Sequence, residues 1–419
     1  MKKPQIKQLK NGLSILTIPV DSPSITVMSL VNTGSRFETK ENNGISHFLE
    51  HMCFKGTSNQ TGKDMMRYLD GLGAETNAFT SYELTGYYVK SITKHWKKTL
   101  GIVADIYLNA TFPSDEMEKE KGVILGEISM YEDMPMRHIY DIFNELVYGD
   151  NQSAGFSILG PRKNIKKMTR DDFVDYHNEH YVASATTIVV AGNVNHQDVV
   201  KQVRKEFETI ALSKKAKKEK AKNPQKKPRM LIKHKKTDQT HMILGYETKE
   251  FYHKDTIVLK VIGSLLGGGM SSRLFEKLRE DMGVGYYVNA RHNAQSDTGV
   301  LQFSCGVDSK RVAEVIEAIQ YEISRLKTEN VDEKELKKVQ EFIIGNTQMG
   351  LEASDELAYY YGQLHLFSLD IKTPKDFSKN IKSVTSKDIK RVARKYFTLD
   401  RCNLAMIGPY TKKNQKEFM

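Results

Sequence analysis

Residues 213–229, SKKAKKEKAKNPQKKPR, stand at the midpoint of a 419-residue chain and read as a break between two folded halves. They hold nine Lys/Arg against one acid, Glu219, with two prolines, no aromatic residue and no apolar period. A stretch of this composition buries too little apolar surface to offset the entropy of ordering it, so it reads as a solvated interdomain linker. It divides the chain into 1–212 and 230–419, each long enough to enclose its own core. It also locates the charge. The stretch carries +8 of the formal +11, leaving +3 elsewhere, which argues against a nucleic-acid surface.

Hydrophobic residues make up 39 % and charged residues 27 %, the balance of a soluble globular protein. No apolar run approaches the ~20 residues of a membrane-spanning helix, so no membrane partner is expected. The N-terminal MKKPQIKQLKNGLSILTIPV begins with lysines, but Ser14, Thr17 and Pro19 interrupt its apolar part, and it reads as a first strand rather than a targeting signal. The three cysteines, Cys53, Cys305 and Cys402, are few, odd in number and widely spaced. They fit a reducing compartment, and a cytoplasmic location is expected.

The halves on either side of the linker read alike. In the first, LSILTIPVDSPSITVMSLVN gives two strands around the turn residues Asp21-Ser22-Pro23-Ser24, and TNAFTSYELTGYYVKSI gives two more. Helices are predicted at about 96–109 and 114–133, then FVDYHNEHYVASATTIVVAGNV as a helix running into a buried strand, then the helix HQDVVKQVRKEF. In the second, the strand HMILGYETK precedes the helices DTIVLKVIGSLLGG and SSRLFEKLRED, strands at 285–293 and 298–307, and the helix RVAEVIEAIQYEISRLK. Strands and helices mixed without strict alternation favour an α+β fold. The shared outline implies a duplication: two homologous domains, each a mixed, largely antiparallel sheet packed with helices.

Residues 44–57, GISHFLEHMCFKGT, carry the chemistry. Ile45, Phe48, Leu49 and Met52 follow the i, i+3, i+4, i+7 pattern of a buried helix face. His47 and His51 share the other side one turn apart, with Glu50 beside them. Both imidazoles can then reach one ion, whereas Cys53 points away. A solvated polar face would look the same, so a third ligand is needed. SDEMEKEKGVILGEISMYEDMP reads as a helix with Met117, Ile124, Ile128 and Tyr131 inward, and Glu120 and Glu127, seven apart, stack on one side of it. Residue types alone leave open which of the two would bind.

The order His-x-x-Glu-His resembles the inverted-motif zinc peptidases: pitrilysin, insulin-degrading enzyme, the mitochondrial processing peptidase and their half-length bacterial relatives. NTGSRFE, ETNAFTSYELTGYY, HYVASATTIVVAGNV and GGGMSSRLFEKLREDMGVGYYV resemble the family too, so the likeness covers essentially the whole chain. The family's third ligand lies about 76 residues past the second histidine, and from His51 that spacing falls on Glu127. Glu120 matches a glutamate that supports the site without binding the ion. The resemblance implies one Zn2+ per chain on His47, His51 and Glu127, with Glu50 as the general base of a catalytic site. It further implies a peptide substrate laid along Asn77, Ala78 and Phe79, and contacts from Arg279 and Tyr286 to the substrate carbonyl. A half-length member forms half of a clamshell, so a homodimer is expected. The same fold also serves catalytically silent scaffold subunits, which is the alternative.

Two other motifs are read as structural. LLGGGMSSRLF lacks either phosphate-loop pattern and reads as a turn before a serine N-cap. HNEH, with His177 and His180 three apart and no distant carboxylate to complete a ligand set, reads as ordinary helix.

Overall fold

The computed structural model describes residues 3–210, 212–223, 225–411, 413–414 and 418. The other positions, among them the expected domain ends Met1 and Met419 and Pro224 of the lysine-rich stretch, lie outside the described residues. In chain order the elements are β1 (Gln5–Gln8), β2 (Ser14–Pro19), β3 (Ser24–Val31), α1 (Ile45–Met52), α2 (Gly62–Gly71), β4 (Glu75–Thr80), β5 (Thr85–Ile92), α3 (Trp96–Asn109), α4 (Ser114–Asp133) and α5 (Pro135–Tyr148). They continue with α6 (Arg162–Lys167), α7 (Arg170–His180), β6 (Thr186–Gly192), α8 (His196–Phe207), β7 (Arg229–His234), β8 (Gln239–Glu247), α9 (Thr256–Gly267) and α10 (Arg273–Phe275), which runs into a π turn at Glu276–Asp281. The last are β9 (Gly285–Ala294), β10 (Gly299–Asp308), α11 (Val312–Thr328), α12 (Glu333–Met349), α13 (Ser354–Leu366), α14 (Pro374–Lys382), α15 (Ser386–Tyr396) and β11 (Cys402–Gly408).

One sheet has the order β1-β2-β6-β3-β5-β4 and the other β7-β11-β8-β10-β9. Without β1 the two correspond strand for strand. The pairs β2–β6 and β7–β11 are parallel and every other pairing is antiparallel. Matching capping boxes, Thr169 with Asp172 and Thr385 with Asp388, start the helices that precede β6 and β11. The duplication is therefore visible in topology as well as in outline.

The chain condenses into two units, one of 1–128, 156–219 and 348–373, the other of 129–155, 220–347 and 374–419. A linear cut at 213–229 would put 129–155 and 348–373 with the opposite halves. The reason lies in the strands. β3 is buried along both faces: Ile25, Val27 and Val31 join the core under α1, α3 and α7, while Thr26 and Leu30 point the other way. That second face is covered by α13, where Ser354 Oγ lies 2.8 Å from Thr26 Oγ1 and Gly362 packs on Leu30 and Val189. The other sheet has the same need. Met242, Leu244 and Tyr246 of β8 join one core, and Ile243 joins Ile139, Ile142 and Phe143 of α5 in another. Gly245 leaves room for the Phe143 ring, which would stand 2.5 Å from a Cβ there.

The lysine-rich stretch is solvated along many of its side chains and tethered elsewhere. In the first unit Lys218 Nζ lies 3.3 Å from Glu83 Oε1, a carboxylate 5 % exposed, and Arg36 Nη2 donates to the Glu219 carbonyl at 3.2 Å. In the second, the Ala221 and Lys222 N–H groups donate to Asp297 Oδ2 and Gln152 Oε1, both at 2.9 Å. These anchors come from residues far away in sequence, which composition does not reveal.

Replacing Phe143 by Ala empties the centre of the second unit's outer core, and we expect a loss of about 3–5 kcal/mol in chemical denaturation. Hydrogen exchange should then quicken in β8 and β11. Quickening confined to β3 and β6 would show that α5 supports the first unit instead.

Candidate metal centre

α1 buries Ile45, Phe48, Leu49 and Met52, each at most 1 % exposed, and Phe48 meets Phe173 of α7 edge to face at 4.8 Å. Eight residues are too few to hold a helix by propensity, so its start is fixed from outside. Gly44 sits at φ 102°, and a Cβ there would stand 2.8 Å from the Leu159 carbonyl oxygen, so glycine is required twice over. Its side chain offers no cap. Glu38, 5 % exposed, supplies one by accepting from the Gly44 and Ser46 N–H groups at 2.9 and 2.8 Å and from Asn43 Nδ2 at 2.7 Å. Burial raises the pKa of Glu38 against the opposing pull of these donors.

On the other face of α1, His47 Nε2 and His51 Nε2 each lie 3.7 Å from Glu127 Oε2 of α4. One ligand atom from each residue falls within 4.8 Å of the others, and among the described residues no other His, Cys, Asp or Glu group does this. Two imidazole nitrogens and one carboxylate oxygen around a single gap match the donor set of catalytic zinc, which keeps a fourth position open. The 32 % exposure of the Glu127 side chain leaves a solvent approach.

The electrostatics separate the two histidines. Burial, then the charge of His51, lowers the His47 pKa to about 3 and keeps its Nε2 lone pair free. His47 Nδ1 is buried with no hydrogen-bond partner among the described residues. Burial also pulls His51 down, but its Nδ1–H donates to Glu120 Oε1 at 2.8 Å, and this bond with the charges of Glu127 and Glu50 leaves the pKa raised. Glu120 is pushed up by burial and pulled further down by His51 and by Lys55 Nζ, 2.5 Å from its other oxygen. Glu120 thus orients a ring instead of facing the gap.

Glu50 leaves α1 beside the pair. Its pKa is raised by burial despite a hydrogen bond from Thr80 Oγ1, the last residue of β4, 2.6 Å from Oε2. Thr80 was not marked by sequence reasoning, since a threonine at a strand end has no signature. A cleft of about 1050 Å³ reaches Glu50 and His51 and is lined also by Phe54, Met66, Thr76 and Ala78.

The remaining sequence candidates divide between the units. Asn77 Oδ1 accepts from the Ala78 N–H at 2.9 Å, and both residues sit on β4, the outermost strand of its sheet. Phe79 lies over Gly86 and meets Tyr359 of α13 edge to face at 5.3 Å. Arg279 and Tyr286 belong to the other unit: Arg279 covers the Phe275 ring at 5.1 Å, and Tyr286, 66 % exposed, stands on the edge strand β9. Cys53 is fully buried, its pKa pushed up to about 12 by burial. His177 Nε2 donates to the Tyr107 carbonyl at 2.9 Å, and His180 stacks on Tyr176 and meets Thr33 Oγ1 at 3.1 Å, so both serve packing.

Comparison with known proteins gives the family. Residues 18–162 match the family profile "Insulinase (Peptidase family M16)" and residues 167–342 match "Peptidase M16 inactive domain". The zinc protease YmxG of Bacillus subtilis (strain 168), described as uncharacterized, is 35 % identical over 403 residues, covering 96 % of this chain and 97 % of that protein. The beta subunit of the mitochondrial-processing peptidase of Mus musculus is 31 % identical over 425 residues, covering 97 % of this chain and 84 % of its own. A crystal structure of a protease from Helicobacter pylori superposes with a TM-score of 0.91 at 25 % identity, covering 97 % of this chain and 99 % of that one. The chain belongs to the M16 peptidase family. No helix among the described residues is long and apolar enough to cross a membrane.

In the metal-free protein the two imidazoles should titrate far apart by NMR: His47 near pH 3 and His51 above the ordinary histidine value of about 6.5. The raised His51 pKa adds stability that is present below the unfolded value and is lost as pH rises through the folded one. Glu120→Gln should lower the His51 pKa and leave His47 in place. An unmoved His51 would remove Glu120 as its partner.

Proposed function

We propose that the protein is a zinc-dependent endopeptidase cleaving peptides or unfolded segments, with one Zn2+ held by His47, His51 and Glu127. The observation that carries this reading is the convergence of those three side chains from two helices, with Glu50 alongside and the edge strand β4 next to it. When bound, the metal would act as a Lewis acid toward a scissile carbonyl and make a water molecule more acidic. Glu50 would take a proton from a water molecule beside it and deliver it to the departing amine. Its raised pKa suits both transfers, because a carboxylate with greater proton affinity is a better base near neutral pH. Glu120 holds the His51 ring. Asn77, Ala78 and Phe79 present main chain for an extended substrate to pair with, which reads backbone before side chains.

Arg279 and Tyr286 are exposed residues of the second unit, and we assign them to the substrate carbonyl of a second copy's site, in a homodimer that encloses a chamber. Three buried, unpaired cysteines support a cytoplasmic location.

Zinc analysis and a quenched peptide library test the first part. Glu127→Gln should lose zinc. Glu50→Gln should keep zinc and fold but lose cleavage by about 100-fold or more, since only proton transfer is removed. Full zinc in the Glu127 variant would exclude that side chain as a ligand, and near-parental turnover in the Glu50 variant would mean another base.

Assembly is tested by mixing Glu50→Gln and Arg279→Ala proteins, each inactive alone, under conditions that let subunits exchange. A composite site gives each mixed dimer one intact site of two, so mixed dimers recover about half the parental activity and a fully exchanged equal mixture about a quarter. No recovery after verified exchange would place Arg279 in the same subunit as the zinc it serves, or outside catalysis.

A further inference from the structure

We infer that Thr80 is a positioning residue for Glu50: its hydroxyl fixes one carboxylate oxygen so that the other is presented to the proton in flight. The inference rests on the peptidase reading above and adds a residue to it. Thr80 Oγ1 lies 2.6 Å from Glu50 Oε2, the separation of a charge-assisted O–H···O bond, and 3.5 Å from the Ser46 carbonyl, too far to compete. A hydroxyl has one proton to donate, and here it goes to Oε2. Glu50 Oε1 has no hydrogen-bond partner among the described residues. Without the hydroxyl, the long glutamate side chain, with three rotatable torsions, would have nothing to select one orientation.

The hydroxyl can do this because its own position is fixed. Thr80 ends β4 opposite Thr85, and the tight turn between them is closed by the Ser81 N–H and Oγ, both donating to the Leu84 carbonyl at 2.9 Å. That turn is bonded to the segment leading into α1. The Ser35 N–H donates to the Ser81 carbonyl at 3.3 Å and the Arg36 N–H to the Tyr82 carbonyl at 2.8 Å. A Cβ on Gly34 would stand 2.3 Å from the Ser81 carbonyl oxygen, so the two backbones are pressed together. Two residues on, Glu38 holds the first turn of α1. Donor and acceptor therefore ride on one cross-braced frame, and the strand offered to the substrate is the strand that aims the base.

The test compares Thr80→Val, which keeps the shape and removes the hydroxyl, with Thr80→Ser, which restores it. A hydrogen bond to a charged group corresponds to about 10- to 100-fold in rate. We expect Thr80→Val to lower kcat by that factor with KM, zinc content and melting temperature little changed, and Thr80→Ser to recover most of the loss. In a Glu50→Gln background Thr80→Val should cost nothing further, because the residue acts through Glu50. Crystal structures should show the Glu50 carboxylate turned or disordered in the Val variant and parental in the Ser variant. A parental protein that cleaves peptides while Thr80→Val does so equally well overturns this inference alone. Equal losses in Val and Ser variants overturn it as well, since they mark a packing role. A zinc-loaded parental protein with no peptidase activity overturns the functional reading and this inference together.

Discussion

The buried carboxylate of Glu38 on the first turn of α1 is the contact on which the centre depends. An eight-residue helix contributes little stability of its own, and its start carries N–H groups that a glycine side chain cannot satisfy. Glu38 satisfies two of them and places a negative charge where the helix dipole is positive. Burial raises its proton affinity, and the N–H donors of Gly44, Ser46 and Asn43 pull in the opposite direction. The apolar face of α1 then sets the rotation of the helix, which sends His47, Glu50 and His51 to the same side.

α4 supplies the other half of the centre through two carboxylates given different work. Glu127, partly exposed, faces the shared gap, and Glu120, buried, meets the far nitrogen of His51 and the ammonium of Lys55. Two turns of helix suffice to separate them. Glu120 is occupied by direct bonds to His51 Nδ1 and Lys55 Nζ, whereas Glu127 stands 3.7 Å from the two Nε2 atoms and leaves room between them for an ion.

Much of this could be read from residue order. The 3.6-residue period of α1 put the histidines on one face, and the apolar spacing of 96–109, 114–133 and 196–207 coincides with α3, α4 and α8. What escaped was long-range. Nothing in NTGSRFE says that Glu38 will cap a helix, and nothing in TNAFT says that Thr80 will meet Glu50. The apolar stripe of α5 or α13 announces a buried face without naming the sheet that buries it. Likewise the basic stretch announced solvation, while its anchors, Glu83, Arg36, Asp297 and Gln152, stand far off in the chain. The second unit repeats the strand order, and the one described metal-capable group, His47, His51 and Glu127, lies in the first.

The reciprocal loan of helices has a consequence for synthesis. The sheet beneath the centre has its second face closed by α13, so a ribosome must deliver residue 366 before that face of β3 and β6 is covered. At about 5–20 residues per second, the interval between the emergence of Glu127 and that of α13 is on the order of tens of seconds. During it the nascent chain displays a row of apolar strand residues. Any truncated product ending before α13 is left with that face bare and is a ready target for chaperones and proteases. The chain thereby ties the maturation of the unit that carries the metal centre to the near-completion of its own translation.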